Sequence, residues 1–195
     1  MLVHRFESIP STQDEANRLA AQGAEHGTAV VACVQTAGRG TRGRPWYSDD
    51  GGLWLSVVCR PAAGDGVEVT GVRVGLALAD YLDTLLPPPA RVMLKWPNDL
   101  LLGGEKLGGI LSEARWQGDK LSWIVVGIGL NVRNPLPGGE IPAARLLDAG
   151  VSYTAEQLAE PVARVVADAV RTAAPLGPEE LEAFRLRDWL RAVER

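Results

Sequence analysis

The sequence predicts an α+β fold, with a mixed and largely antiparallel sheet flanked by helices. One observation is the order of the elements: helical segments separate groups of strands and close the chain, unlike the regular strand–helix alternation of a parallel sheet. Another is the spacing of Gly, Pro, Asn and Asp residues in the middle of the chain, which divides consecutive short strands by turns. The length, 195 residues, suits one well-packed domain.

The predicted strands are short segments, either apolar or alternating, and each is flanked by turn residues. Their residue ranges are 28–35, 53–60, 91–95, 100–102, 106–115 and 121–132. The last four follow one another with only turns between them, which is typical of a strand meander.

Helical spacing of apolar residues predicts a first helix over residues 13–22. Gly23 follows it directly, and Ser11 or Thr12 is placed to cap its amino end. The same spacing predicts a second helix, 67–86, which ends where three prolines begin.

Two further helices are predicted in the last quarter of the chain, over residues 154–173 and 179–193. A loop precedes them because its residues break regular structure. These loop residues are Pro135, Pro137, Gly138 and Gly139.

Composition and charge narrow the class of protein. Hydrophobic residues make up 46% and charged residues 23%, which is ordinary for a globular protein. The longest apolar runs, such as residues 124–128, are too short to cross a bilayer, and the amino terminus lacks a signal pattern. We therefore expect a cytoplasmic protein with no membrane contact. The net charge of −4 argues against a general nucleic-acid binder.

The two cysteines, Cys33 and Cys59, are too few for a disulfide framework or a four-cysteine zinc site. Each lies in an apolar alternating stretch. We therefore expect both to be buried as small hydrophobic side chains.

Four segments contain more glycine and polar residues than a core or a plain turn needs. The first, residues 38–46, reads Gly-Arg-Gly-Thr-Arg-Gly-Arg-Pro-Trp, with three arginines inside six positions. Local positive charge on an acidic chain indicates a small anionic ligand. The stretch contains G-x-G-x-x-G, but no helix start follows it as a dinucleotide-binding fold requires. A basic surface loop without function is the alternative interpretation.

The second segment, residues 95–99, reads Lys-Trp-Pro-Asn-Asp. A lysine at a strand end, followed by a proline-fixed turn with an amide and a carboxylate, suits phosphate charge and a magnesium ion. An ordinary turn is the alternative interpretation.

The third segment, residues 106–113, reads Lys-Leu-Gly-Gly-Ile-Leu-Ser-Glu. A lysine beside a missing side chain leaves a cation next to open space. In a regular strand, four positions share one face: Lys106, Gly108, Ile110 and Ser112. The alternative is a bulge at the paired glycines, with the lysine as a solvated edge charge.

The fourth segment, residues 125–131, separates an apolar face from a face that lacks side chains. Such a bare face lets a flat ligand lie against the backbone. The apolar face holds Ile124, Val126, Ile128 and Leu130, and the opposite face holds Gly127, Gly129 and Asn131.

In this order and spacing, the four segments resemble the catalytic domain of the biotin–protein ligase (holocarboxylase synthetase) family. The combination of G-R-G-x-R-G-R-x-W, K-W-P-N-D, K-x-G-G-I-L and G-I-G-x-N-V is highly specific, and the resemblance runs from about Ser11 to Asn131. It implies a fold related to class II aminoacyl-tRNA synthetases, in agreement with the α+β pattern.

The resemblance implies a biotin site built from a Ser-Thr-Gln step, a second glutamine, the arginine-rich loop and the glycine-rich strands. Lys106 and Arg39 are the implied catalytic residues. The implied biotin-binding residues are Ser11, Thr12, Gln13, Gln35, Arg39, Gly40, Thr41, Lys106, Gly108, Gly109, Gly127 and Gly129.

The resemblance also implies a nucleotide site, with Asp99 as the ligand of a magnesium ion. Trp46 resembles the aromatic residue that borders the nucleotide in the family. The implied nucleotide-binding residues are Arg42, Arg44, Trp46, Lys95, Asn98 and Asn131.

The implied reaction activates biotin with ATP to biotinyl-5'-AMP and then transfers biotin to a lysine of a biotin carboxyl carrier protein, such as an acetyl-CoA carboxylase subunit. ATP and Mg²⁺ are the implied cofactors, and biotin is the substrate. Both reactants of the first step are anions that repel each other. A cation at contact distance contributes about 4 kcal/mol at an effective dielectric constant near 20, and Lys106, Lys95 and Arg39 would supply such charge.

Two alternative functions stay open. A lipoate–protein ligase or octanoyl transferase would share the broad fold, although K-W-P-N-D and the arginine-rich loop favour biotin. A non-catalytic regulator would bind biotin or nucleotide without releasing pyrophosphate. A nucleic-acid partner is not expected, because no basic stripe with interleaved aromatic residues occurs. Whether the chain forms a homodimer is open.

Two departures from the family pattern are visible. Thr41 stands where many relatives carry another arginine, which predicts one phosphate contact fewer. Relatives usually continue into a small carboxy-terminal β-barrel, and some begin with a winged-helix DNA-binding domain. This sequence shows neither pattern, so we expect a single catalytic domain over residues 1–195 without repressor function.

Overall fold

A computed structural model describes residues 1–136, 138 and 142–193. A mixed sheet of seven strands runs through it in the order β1-β2-β3-β7-β6-β5-β4. β1 and β2 pair in parallel and the other neighbours pair antiparallel, which confirms the predicted sheet. The strands are β1 (Val3–Ile9), β2 (Ala29–Gln35), β3 (Leu53–Cys59), β4 (Val92–Lys95), β5 (Asp99–Leu102), β6 (Glu105–Gln117) and β7 (Lys120–Leu130).

Helices cover the two faces of the sheet unequally. The helices are α1 (Thr12–Ala21), α2 (Thr70–Asp83), α3 (Ala155–Ala169), α4 (Pro178–Arg187) and α5 (Trp189–Val193). α2 and α3 pack together against one face, and their apolar side chains join those of the sheet in the main core. The opposite face carries α1, which contacts β2, β3 and β7. Within the described part of the chain, no helix is long and apolar enough to span a membrane.

Side-chain alternation along β7 explains why the two faces differ. Ile128 and Leu130 belong to the main core beneath α2 and α3. Val125 points to the other face, where it packs with Ala16 and Ala20 of α1 in a smaller cluster. The predicted alternation of β7 is therefore confirmed, and its glycine face lies on the side of α1.

The edge strand β1 was not predicted from the sequence. None of its seven residues is buried, and it pairs with β2 on one side only. Apolar and charged residues mix along it, so it lacks the clean alternation of a strand with one face in the core.

Predicted helix boundaries needed correction near the carboxy end. Residues 179–193 form two helices instead of one, because Asp188 adopts an extended conformation with ψ 110°. The Asp188 carboxylate accepts a hydrogen bond from the Leu190 N–H at 3.2 Å, and such local bonds compete with a continuous helix. α2 and α3 are shorter than predicted. Two residues of the loop predicted before the last helices, Pro137 and Gly139, lie outside the described residues.

A one-residue bulge sets the side-chain directions at the start of β6. The register pairs Leu101 with Lys106 and Leu100 with Gly108, so Leu107 has no partner of its own in β5. Leu107 is fully buried in the main core. Two consecutive residues therefore turn towards the same face, and the alternation changes phase at this point.

The bulge corrects the predicted face of the third segment. Gly108 and Ile110 lie on the main-core face, since a methyl group built on Gly108 would contact the Leu130 side chain and Ile110 is buried in that core. Ser112 shares this face by alternation. Lys106 does not, so the prediction that all four share one face is wrong. The lysine lies on the opposite side, with Gly109.

The two cysteines differ in environment. Cys59 is fully buried, and burial raises the pKa of its thiol to about 12. Cys33 is exposed, which contradicts the expectation that both are buried. Partial burial, with the charge of Glu7 as a smaller cause, raises the pKa of the Cys33 thiol as well.

We predict that an aromatic disulfide reagent for free thiols, at pH 8, modifies only Cys33 in the folded protein and both cysteines after unfolding. A thiol of pKa near 12 is thiolate in only about one molecule in ten thousand at pH 8, and Cys59 is also closed to solvent. The number of reacted thiols is measured by absorbance. Rapid reaction of a folded Cys33→Ser variant would contradict the burial of Cys59.

Candidate active site

A cavity of about 470 Å³ opens on the sheet face that α1 leaves partly uncovered. This volume is typical of small-molecule sites. Its walls come from the start of α1, the loop between β2 and β3, the turn before β5, and the exposed backbone of β6 and β7. The cavity thus lies where the four segments singled out in the sequence meet.

Glycines form the floor of the cavity. Gly109 of β6 pairs directly with Gly129 of β7, and Gly127 lies two residues further along the same face. A methyl group built on Gly129 would lie 2.5 Å from the Trp46 ring, and one on Gly109 would lie 3.2 Å from it. The missing side chains let the indole lie flat against the sheet.

Trp46 is the aromatic wall of the site. It packs edge-on against Trp54, with ring centroids 6.5 Å apart and planes at 74°. Lys106 Nζ lies 5.2 Å from the Trp46 ring centroid, within range of a cation–π contact. The indole Nε1 is buried, and no described residue accepts its hydrogen bond. Trp46 therefore offers a ligand a flat apolar face, whereas its N–H is directed at the glycine floor.

Lys106 reaches the cavity from the bulge in β6. Its Nζ lies 2.7 Å from Asp99 Oδ1, and both side chains are about one-fifth exposed, 20% and 22%. Two amides fix the surrounding backbone. Asn98 Nδ2 donates to the Ile110 carbonyl at 3.1 Å, and Asn131 Nδ2 donates to the Lys106 carbonyl at 3.3 Å. The backbone that carries the Lys106 ammonium is thus held in place by side-chain amides on both sides.

A cluster of hydroxyls and amides forms the end of the cavity beside α1. Gln35 Oε1 accepts from the Thr12 N–H and the Thr12 hydroxyl, at 2.8 and 3.0 Å. The Thr12 and Ser56 hydroxyl oxygens lie 2.9 Å apart, and Ser56 Oγ donates to Gln13 Oε1 at 3.0 Å. The two hydroxyl groups have only two protons for these three contacts, so at most two of the contacts hold a hydrogen bond at once. Each hydroxyl oxygen has two lone pairs, which leaves acceptors for a ligand that carries N–H groups.

Arg39 closes the rim of the cavity. Its guanidinium donates to Ser11 Oγ at 3.2 Å and pairs with Asp14 at 2.7 Å and Glu113 at 3.3 Å. The hydrogen bond to Asp14 is the main cause that raises the pKa of Arg39. Ser11 occupies the N-cap position directly before α1. Its side chain caps no helical N–H and instead accepts a hydrogen bond from Arg39.

The structure brings most of the predicted site residues into this one cavity. Those that line it are Ser11, Thr12, Gln13, Gln35, Arg39, Gly40, Thr41, Arg44, Trp46, Asn98, Lys106, Gly109, Gly127, Gly129 and Asn131. They come from the start of α1, from β2, β6 and β7, and from loops between the strands, so their convergence is a property of the fold and not of sequence proximity.

Four predicted site residues do not line the cavity. Gly108 faces the main core because of the bulge, and Arg42 is exposed in the loop with a left-handed φ of 61°. Lys95 is exposed and pairs across the β4–β5 hairpin with Asp99. Asp99 lies behind Lys106 and reaches the cavity only through that ion pair.

The cavity-lining residues that sequence reasoning missed include Ser56, Leu111 and Tyr47. Ser56 is fully buried and central to the polar cluster. Its signal was present, since it is a hydroxyl in the apolar strand Leu53–Cys59. Leu111 gave no signal, because its face depends on the bulge in β6.

The family model for the biotin/lipoate A/B protein ligases matches residues 5–131, well over half of the chain.

This chain belongs to the biotin/lipoate A/B protein ligase family.

Curated members of the family match the same part of the chain. The bifunctional ligase/repressor BirA of Bacillus subtilis (strain 168) is 38% identical over 126 residues, covering 64% of this chain and 38% of that protein. The biotin–[acetyl-CoA-carboxylase] ligase of Mycobacterium tuberculosis (strain ATCC 25618 / H37Rv) is 37% identical over 147 residues, covering 73% of this chain and 53% of that protein. The chain spans about half of these relatives or less.

Solved structures of the family share the fold. Biotin protein ligase from Leishmania major, in complex with biotinyl-5-AMP, has a TM-score of 0.77 and 28% identity, covering 96% of this chain and 81% of that chain. Biotin protein ligase from Aquifex aeolicus, in complex with biotin and ATP, has a TM-score of 0.69 and 29% identity, covering 96% of this chain and 73% of that chain. The predicted resemblance and fold are confirmed.

We predict that Gly129→Ala displaces Trp46 from the floor. The added methyl would lie 2.5 Å from the indole, and overpacking of this kind costs roughly 1–3 kcal/mol of folding free energy. The Trp46–Trp54 contact gives a near-ultraviolet circular dichroism signal that should fall, and urea unfolding measures the stability. Gly75→Ala in α2 is the control, because its methyl would make ordinary contacts no closer than 3.4 Å. An unchanged spectrum of Gly129→Ala would contradict the close contact between Trp46 and the glycine floor.

Proposed function

We propose that this chain is a biotin–protein ligase, which activates biotin with ATP to biotinyl-5'-AMP and transfers it to a lysine of a carrier protein. One observation carries the proposal: Lys106 and Arg39 enter the same cavity, between a polar end beside α1 and an aromatic wall at Trp46. The names of the relatives support biotin as the substrate, and solved relatives were crystallised with biotin, ATP or biotinyl-5-AMP. Residues 1–195 would act as one catalytic domain.

The polar end suits the ureido ring of biotin. That ring has two N–H donors and one carbonyl acceptor. Thr12, Ser56 and Gln35 present both acceptors and donors within one hydrogen-bonded cluster. The other biotin contacts that the resemblance implies line the same cavity, with the exception of Gly108, which faces the main core.

The opposite end suits the nucleotide. Trp46 provides a flat face, and Asn98 and Asn131 provide amides whose positions the backbone fixes. Arg44 lines the cavity at its rim. Arg42 and Lys95 are exposed outside the lining, so a contact with phosphate would require them to turn inwards.

In the first step, a biotin carboxylate oxygen attacks the α-phosphorus of ATP, and pyrophosphate leaves. Both reactants are anionic, so their approach is opposed by repulsion. Lys106 Nζ lies between the polar end and the aromatic wall, where it can contact both the carboxylate and an α-phosphate oxygen. Its preset position means that little reorganisation is needed as the bond forms.

In the second step, the amine of the carrier lysine attacks the biotinyl carbonyl carbon, and AMP leaves with the bonding electron pair. The relatives' names indicate acetyl-CoA carboxylase as the origin of the carrier, and we propose a biotin carboxyl carrier protein as the partner. The lysine must enter through the rim that Arg39 and Tyr47 border.

Magnesium would bind jointly with the ATP phosphates. Among the described residues, no three His, Cys, Asp or Glu side chains form a metal-binding group. Magnesium commonly uses one or two carboxylates together with substrate phosphates, and Asp99 Oδ1 has Lys106 as its one partner in the described chain. Asp99 lies outside the cavity lining, so it would serve as the single protein ligand by exchanging its ion pair with Lys106 for the metal. Bound there, the ion would supply positive charge to the phosphates.

Other properties stay predictions. They are the cytoplasmic location, the lack of a nucleic-acid partner and the oligomeric state, a homodimer included. Lipoate or octanoate as the substrate is the alternative within the family, whose name covers lipoate ligases.

We predict that biotin-dependent ATP–pyrophosphate exchange occurs with this chain and that Lys106→Ala lowers its kcat/KM about a thousandfold. That factor corresponds to the loss of roughly 4 kcal/mol of charge stabilisation. Lys120→Ala, at the start of β7 and exposed, is the matched control and should exchange normally.

Replacement of biotin by lipoate or octanoate separates the two substrate classes in the same assay. Exchange with lipoate but not biotin would contradict the proposed substrate. Exchange that Lys106→Ala leaves unchanged would contradict the proposed role of the lysine.

A further inference from the structure

A carboxylate outside the lining of the cavity connects two of its walls. Glu113 lies in β6, and its side chain is 36% exposed. Its Oε2 accepts from Gln13 Nε2 at 3.2 Å and from Asn17 Nδ2 at 3.0 Å, and its Oε1 lies 3.3 Å from Arg39 Nη2. One carboxylate thus binds a residue of the polar end, a residue of α1 and the arginine of the rim.

The partners of Glu113 are themselves fixed. Asn17 Oδ1 accepts from Trp123 Nε1 at 3.0 Å, and its Nδ2 also donates to the Gln13 carbonyl at 3.1 Å. Gln13 Nε2 donates a second bond to the Val125 carbonyl at 3.1 Å. The position of Glu113 is therefore determined by α1 and β7 together.

Two acceptors decide which way the Gln13 amide faces. The Glu113 carboxylate and the Val125 carbonyl can only accept, so the Gln13 NH₂ group must point at them and its Oε1 must point away. Oε1 then accepts from Ser56 Oγ, at the edge of the glycine floor, where a methyl group on Gly127 would lie 2.6 Å from it. Were the amide reversed, an NH₂ group would face Ser56 and the polarity of the polar end would change.

The same carboxylate holds the guanidinium of Arg39. Asp14 lies closer to Arg39, at 2.7 Å, but its side chain is 63% exposed, against 36% for Glu113. Exposed ion pairs contribute little to position, because solvent screens them and their side chains stay free to rotate. Glu113 is anchored by two further bonds, so it defines the place of Arg39 better than Asp14 does.

We propose that Glu113 is a positioning residue, which orients Gln13 and Arg39 together so that the cavity binds the vitamin. It touches no reacting atom and acts through those two side chains. The proposal rests on the proposed biotin-ligase function for its kinetic readout, and a second readout on the ligand-free protein is independent of it.

The kinetic test compares Glu113→Gln, Glu113→Asp and the wild type in biotin-dependent pyrophosphate exchange at saturating ATP. Glu113→Gln removes the ion pair with Arg39 and the acceptor-only group at Gln13, so that the Val125 carbonyl alone holds the Gln13 NH₂ group. We expect its KM for biotin to rise about tenfold or more, the usual effect of losing a charged hydrogen bond, with kcat changed less than about threefold. Glu113→Asp keeps an acceptor-only group and should restore part of the loss.

Two controls distinguish positioning from a general structural effect. Glu15→Gln breaks an ion pair of the same kind, with Arg18 at 2.6 Å on α1, and should leave KM unchanged. Asp14→Asn removes the other carboxylate at Arg39 and should raise KM less than Glu113→Gln does. The proposal is overturned if Glu113→Gln lowers the unfolding temperature without raising KM, or if Asp14→Asn matches its KM.

The ligand-free readout is the side-chain NH₂ resonance of Gln13 in ¹H–¹⁵N spectra, accessible for a chain of 20.8 kDa. A bond to a carboxylate should slow its exchange with solvent in the wild type and in Glu113→Asp, and Glu113→Gln should lose that protection. Equal protection in all three overturns the proposal. Absence of exchange activity in the wild type, with the protection pattern intact, would instead count against the proposed function alone.

Discussion

The site depends on one local constraint, the extra residue at Leu107 between two paired strands. Side chains alternate strictly along a strand, so a regular β6 would send Lys106 to the face of Ile110, beneath α2. The bulge instead buries Leu107 in the core and turns the lysine to the side of the glycine floor. A buried leucine, rather than any ligand, thereby holds the central cation in place.

The rest of the site is arranged around that cation by shape and polarity. Glycines on β6 and β7 leave room for Trp46 to lie on the sheet, and Trp46 in turn borders Lys106. Hydroxyls and amides beside α1 form a continuous hydrogen-bonded cluster. Glu113 joins this cluster to the arginine of the rim. These contacts, most of them between side chains, exist before a ligand binds, which is what preorganised charge stabilisation requires.

Much of the fold followed from sequence because its signals are local. The meander of the last four strands is marked by turn residues. The two faces of residues 124–130 follow from a pattern of period two, because the irregularity in the β6–β7 pairing lies nearer the start of β7. The direction of Lys106 did not follow, because a bulge is visible only in the pairing of two strands. Ser56 was overlooked because it lies inside an apolar run. β1 was not predicted because it is an edge strand with no buried face. Glu113 gave no signal, since its partners lie 74 or more residues away.

A crystal structure of the chain with biotin and a non-hydrolysable ATP analogue tests the central claim most directly. If the bulge at Leu107 positions the cation between two anions, Lys106 Nζ will lie within about 3.2 Å of both the biotin carboxylate and an α-phosphate oxygen. A complex in which Lys106 stays bound to Asp99 alone, with both ligands beyond its reach, would contradict it.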